Sequence, residues 1–114
     1  MRLVNRRNGA VLAERVERAT GAWERMRGLL GRHDLPQGDA LAIEPCTSIH
    51  TFFMGFAIDA AFLDRNGKVI RALSDLRPFR ATRIHPSAAQ VVELPAGTLA
   101  QTDTRPGDQV SFEV

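Results

Sequence analysis

Two carboxylates interrupt stretches of the chain that are otherwise built for burial. Asp59 sits in Ile58-Asp59-Ala60-Ala61-Phe62-Leu63, and Glu93 sits in the largely apolar run from Ala88 to Leu94. A carboxylate taken out of water without a partner is costly, so each must meet a guanidinium, a group of backbone amides or a ligand. Arg25, Arg27, Arg32 and Arg71 are the cations at hand. Arg27 comes first as the partner of Asp59, because it borders the apolar face of the expected helix. Paired this way, the acids lock the fold. Turned toward a ligand, Asp59 and Glu93 form a binding site with Arg27, Arg32 and His50. A buried acid beside a histidine can also transfer protons, so Asp59 or Glu93 with His50 is the candidate catalytic set.

Other chemistries find less support. The histidines, His33, His50 and His85, follow no helical metal-binding spacing, and there is no HExxH. A lone cysteine, Cys46, allows neither an internal disulfide nor a multi-cysteine zinc site. Ser48, Thr51 and Ser74 lack the GxSxG context of a nucleophile turn, and Gly28, Gly31 and Gly38 do not follow a strand as a phosphate loop requires. The sequence therefore predicts no metal and no cofactor.

With 114 residues, the chain has the size of one domain, spanning 1–114, with a single modest core. Its net charge is only +2, and fourteen of its fifteen basic residues are arginine. The basic excess lies in residues 1–32, where eight arginines face three glutamates. Aromatic residues do not alternate with these arginines as a base-stacking platform needs, so no nucleic-acid partner is expected. No apolar run reaches the length of a membrane span, and arginines and acids occupy the first 20 residues in place of an apolar leader. The expectation is a soluble, cytoplasmic protein that does not engage a membrane.

The segment from His50 to Asp64 organises the elements. It carries four of the six phenylalanines and is apolar on both parities, as a strand covered on both faces must be. Gly55 suggests a bend within it, and Asp64-Arg65-Asn66-Gly67 a turn into a return strand over 68–73. Upstream, Arg2–Asn5 and Val11–Val16 read as a hairpin. Thr20 is a good cap for a helix over Gly21–Gly31, with Trp23 central on its apolar face and Gly31 ending it. Ala40–Glu44, Ala88–Leu94 and Gln109–Val114 read as further strands, with one helical turn over Thr98–Thr102 and a loop over 74–87. The fold class is α+β, predominantly antiparallel β: a small barrel-like sheet with one principal helix packed against it.

Three pieces together resemble the uncharacterised family called domain of unknown function 192. They are Arg27-Gly28-Leu29-Leu30-Gly31-Arg32; Phe53-Met54 followed by Ile58-Asp59 and Phe62-Leu63-Asp64; and Val92-Glu93-Leu94-Pro95-Ala96-Gly97 with Gly107-Asp108 downstream. The resemblance implies a small, mainly β domain of bacteria and archaea with no established reaction, cofactor or catalytic residues. It therefore assigns no role to any residue. The commoner family pattern has a longer insert between methionine and aspartate, containing lysine and asparagine, where this chain has only Gly55-Phe56-Ala57-Ile58. Many relatives also carry export signals, and none is visible here. Both departures count against an export-linked role.

These readings favour a small non-catalytic binding or accessory domain that recognises a small molecule or a protein. The alternative is a small enzyme using Asp59 or Glu93 with His50. An exposed cluster of Phe52, Phe53 and Phe56 would favour a protein partner. A concave pocket holding both carboxylates and a histidine would favour the enzyme.

Overall fold

The computed structural model of the protein describes residues 1–29, 32–52 and 54–114, with the side chains of Trp23, Met26 and Arg27 outside that description. Eight described strands form two sheets. They are β1 (Arg2–Asn5), β2 (Val11–Ala13), β3 (Arg15–Ala19), β4 (Asp39–Ile43), β5 (Ile58–Leu63), β6 (Val69–Leu76), β7 (Gln90–Pro95) and β8 (Val110–Glu113). The smaller sheet has the order β2-β1-β8, and the larger has the order β3-β4-β7-β5-β6. Pairing is antiparallel throughout except between β3 and β4. The sheet-dominated α+β class expected from the sequence is therefore present. The barrel is not: the strands divide into two sheets that do not close on one another.

The division begins at Glu14. The amides of Glu14 and Arg15 both donate to the carbonyl of Gly38, at 2.8 and 2.9 Å. This breaks the expected strand over 11–16, leaving β2 in the small sheet and sending β3 into the large one. Gly9, at φ 75°, closes the β1–β2 turn.

β7 is the centre of the large sheet, between β4 and β5, and all six of its residues are buried, as are all six of β5. Two apolar layers explain this. On one face Ala61, Leu63, Val92 and Leu94 pack with Leu3, Leu12 and Val110 of the small sheet. On the other, Ile58, Ala60, Phe62 and Val91 pack with Leu29, Leu35, Ile49 and Met54. Burial on both faces is what the unbroken apolar pattern required.

Only the second half of the expected core strand is a strand. His50 forms an isolated bridge with Ala81, and Thr51 is fully buried. The Thr51 hydroxyl donates to the carbonyl of Arg77 at 2.5 Å and accepts from the amide of Arg80 at 2.9 Å. This polar anchor ties residues 50–52 to the 77–82 loop and pulls them out of the sheet. The return strand β6 correspondingly runs further than expected, to Leu76.

α1 (Ala22–Arg27) is shorter than the sequence pattern suggests. Gly21, not Thr20, occupies the cap position, with no side-chain cap bond. Gly28 ends the helix at φ 50°, ψ −127°, its amide donating to the carbonyl of Glu24. Only glycine adopts that backbone conformation without strain. The expected docking of Trp23 and the expected stop at Gly31 lie outside the described residues. α2 (Thr98–Gln101) is the single turn that the sequence indicated.

Candidate ligand pocket

Strand register decides where the two carboxylates go. Asp59 pairs with Leu94, while Glu93 pairs with Ala60 on one side and Leu41 on the other. Asp59 thus shares the face of Ala61 and Leu63, toward the small sheet, and Glu93 shares the face of Ala60 and Val91, toward α1. They lie on opposite faces of the large sheet, so no pocket contains both.

Asp59 is fully buried and fully engaged. One oxygen, Oδ1, accepts from the amide of Asp75 at 2.9 Å. The other, Oδ2, accepts from the amides of Gly97 at 3.2 Å and Leu99 at 2.9 Å. Asp59 caps the start of α2, which has no cap bond from its own Gly97. It also holds a bulge in β6, where Asp75 sits at φ 54° opposite the shifted β5 register. The Arg27 side chain, expected as the partner of Asp59, lies outside the described residues. The partners that the structure gives are backbone amides.

Glu93 is the opposite case. The residue is 3% exposed, yet Oε1 has no hydrogen-bond partner among the described residues. It lines a cavity of about 210 Å³ beneath α1, whose apolar walls are Leu29, Ile43, Ile49 and Met54. Gly28 lies over the carboxyl: a Cβ added there would stand 3.7 Å from Oε1. Burial, which penalises the charged form, raises the Glu93 carboxyl to about 7, against a smaller opposing pull from Arg32. Arg32 itself is bonded to Glu17 and lines a different groove, with Arg15, Leu35 and Asp39.

Other polar groups reach the same cavity. Arg25 lines it, and its Nε is buried without a partner among the described residues while Nη1 donates to the Pro45 carbonyl at 3.4 Å. Cys46 donates to the Ser48 carbonyl at 3.0 Å. Burial raises its thiol; Glu93 pushes in the same direction and Arg25 in the other, so the sulfur feels both charges. His50 is at the rim, exposed and stacked on Phe52 with ring centroids 5.4 Å apart. Glu93 and His50 therefore come together at one cavity, whereas Asp59 does not join them.

The remaining histidines go elsewhere. His85 packs on the Phe62 ring at 4.4 Å and lines a separate cavity with Arg71 and Arg83, and His33 is exposed. Among the described residues no group of three or more His, Cys, Asp or Glu side chains gathers as a metal site would need. Of the three phenylalanines whose joint exposure would favour a protein partner, Phe52 is exposed beside Phe79, Phe56 is half-buried, and Phe53 lies outside the described residues.

A third buried carboxylate, Asp108, escaped the sequence reading because Arg105-Pro106-Gly107-Asp108 looks like a simple turn. It accepts from Arg7 Nε at 2.7 Å, Asn5 Nδ2 at 2.9 Å and the Arg105 amide at 3.1 Å. The bond from Arg7 holds this carboxyl well below the usual carboxylate range, aided by Asn5 and opposed by burial. This network ties the β1–β2 turn to the loop before β8. Its geometry is structural.

Comparison with known proteins agrees with this architecture. A family model described as "Uncharacterized ACR", domain of unknown function 192, matches residues 3–112. A "UPF0127 protein" of Thermococcus sibiricus (strain DSM 12597 / MM 739) is 31% identical over 116 aligned residues, covering 98% of this chain and 75% of the relative. A crystal structure of a protein of unknown function from Novosphingobium aromaticivorans DSM 12444 superposes with a TM-score of 0.83 at 19% identity, covering 97% of this chain and 82% of that one. Another, from Sinorhizobium meliloti 1021 and described as a proposed transcription regulator, gives 0.78 at 21% identity, over 96% and 89% of the two chains. At those identities the two structures speak to the fold alone. Among the described residues, no helix is long and apolar enough to cross a membrane.

Proposed function

The chain belongs to the uncharacterised family domain of unknown function 192, and we propose that it is a small non-catalytic domain that binds a small ligand in the Glu93 pocket. The observation that carries this reading is Oε1 of Glu93, a residue 3% exposed that lines a cavity, with no partner for that oxygen among the described residues. A buried polar group left unsatisfied costs about 1–3 kcal/mol, more if it is charged. Asp59 and Asp108 are supplied with donors by the fold itself, so this chain is able to satisfy a buried acid. At Glu93 it offers space and apolar walls, and a ligand that donates a hydrogen bond would complete the site.

The test is equilibrium binding of a panel of amines, amides, alcohols, amino acids and carboxylic acids to the purified chain and to Glu93→Gln. At least one compound is expected to bind the unaltered chain stoichiometrically and to weaken by roughly tenfold or more in the variant. No binding by any compound, or equal binding to both proteins, contradicts the reading.

A second reading, a small enzyme, draws on His50 at the same cavity and on a Glu93 carboxyl raised to about 7, within the range useful for proton transfer. It differs in one observable: the bound compound would be consumed, with turnover lost in Glu93→Gln.

A further inference from the structure

The geometry points to a small zwitterion with an apolar body as the ligand of this pocket: an ammonium and a carboxylate carried close together, with an aliphatic side chain, as in an α-amino acid. This inference rests on reading the Glu93 cavity as a ligand site and assigns its chemical class. Two buried polar atoms at that cavity lack partners among the described residues, and they are of opposite kind: an acceptor, Glu93 Oε1, and a donor, Arg25 Nε. One ligand carrying a donor and an acceptor satisfies both, whereas a ligand with only one of these functions leaves the other atom buried and unmade.

The two ends are separate sites. Glu93 Oε1 and Arg25 Nε do not bond to one another, and Cys46 lies within electrostatic reach of both residues. Arg25 Nη1 is directed to the Pro45 carbonyl, which leaves Nε for a carboxylate. The edge of a guanidinium that includes Nε is one of those that grip a carboxylate side-on. Leu29, Ile43, Ile49 and Met54 supply the apolar surface against which an aliphatic side chain would lie. The cavity of about 210 Å³ has room for a ligand of amino-acid size.

Titration calorimetry on the full chain tests this with glycine, alanine, valine and leucine, and with two leucine analogues. Isoamylamine lacks the carboxylate, and 4-methylpentanoic acid lacks the ammonium. Leucine or valine is expected to bind most tightly, with both analogues weaker than leucine by roughly tenfold or more. Glu93→Gln should weaken leucine and isoamylamine while sparing 4-methylpentanoic acid, and Arg25→Gln should do the reverse for the two analogues. Equal affinity for leucine and either analogue overturns the inference, because one end would then be unused. So does the failure of all four amino acids to bind. The analogue comparison uses the unaltered chain, so it stands even where a variant does not fold. If the zwitterions fail while another compound in the broader panel binds in a Glu93-dependent way, the ligand class falls and the ligand site remains. If nothing binds, both fall.

Discussion

Replacing Glu93 by glutamine isolates the cost of burying its charge. The unfolded chain releases this proton near the ordinary value of 4.5, whereas the folded chain holds it up to about 7. Between those values the folded state binds more protons than the unfolded state, so stability falls as pH rises through them. The contribution is fully present below the lower value and is lost above the upper one. At about 1.4 kcal/mol per pH unit, the interval corresponds to a loss of about 3 kcal/mol. Solvent screening does not reduce this much, since Glu93 is 3% exposed. Glutamine keeps the shape and removes the ionisation. Urea unfolding of both proteins from about pH 5 to about pH 8 should therefore give a stability difference that moves by about 2–3 kcal/mol in favour of the variant. Subtracting the two curves cancels every other titrating group. A difference constant within about 0.5 kcal/mol over that range would refute the reasoning, because Glu93 would then titrate alike in both states.

Three other perturbations bear on the same architecture. Asp59→Asn leaves one acceptor oxygen for three backbone amides and should cost about 2–4 kcal/mol, while ligand binding stays within about twofold; a loss below about 1 kcal/mol would mean that the amides find other acceptors. Gly28→Ala places a side chain at φ 50° and should cost on the order of 1–3 kcal/mol, with weaker binding because its Cβ stands over the Glu93 carboxyl; an unchanged melting temperature and affinity would argue against that backbone. Asp108→Asn should flatten the acid side of the stability curve: the native carboxyl titrates below its ordinary 3.8, so its contribution is present above that value and is lost as pH falls further. An acid limb of unchanged slope in the variant would show that Arg7 does not hold this group.

Local pattern carried much of the fold. The apolar parity of Ile58–Leu63 announced a strand covered on both sides, and the single turn of α2 and the β5–β6 hairpin are local features that the sequence states directly. Long-range pairing was not legible in the same way. That Asp59 stands beside Leu94, and not beside Glu93, is a matter of register between strands over thirty residues apart, and one step of register reverses every side chain. The sequence marks both acids as anomalous and cannot tell that one meets amides and the other a cavity. Thr51 misled for a related reason: its neighbours His50 and Phe52 look like strand, while its hydroxyl answers to carbonyls in the 77–80 loop. The helix was read too long because its pattern continues past Gly28, where the backbone turns away. Arg25 appeared only as one of several cations that could pair with an acid, and only its buried Nε, without a partner among the described residues, singles it out.

The most direct measurement is native mass spectrometry of the chain and of Glu93→Gln, both purified gently from the source organism. A ligand that completes the Glu93 site should be retained as a discrete small mass on the unaltered chain and be missing from the variant, with both proteins folded. The bare mass for both proteins, or the same adduct on both, would contradict the account.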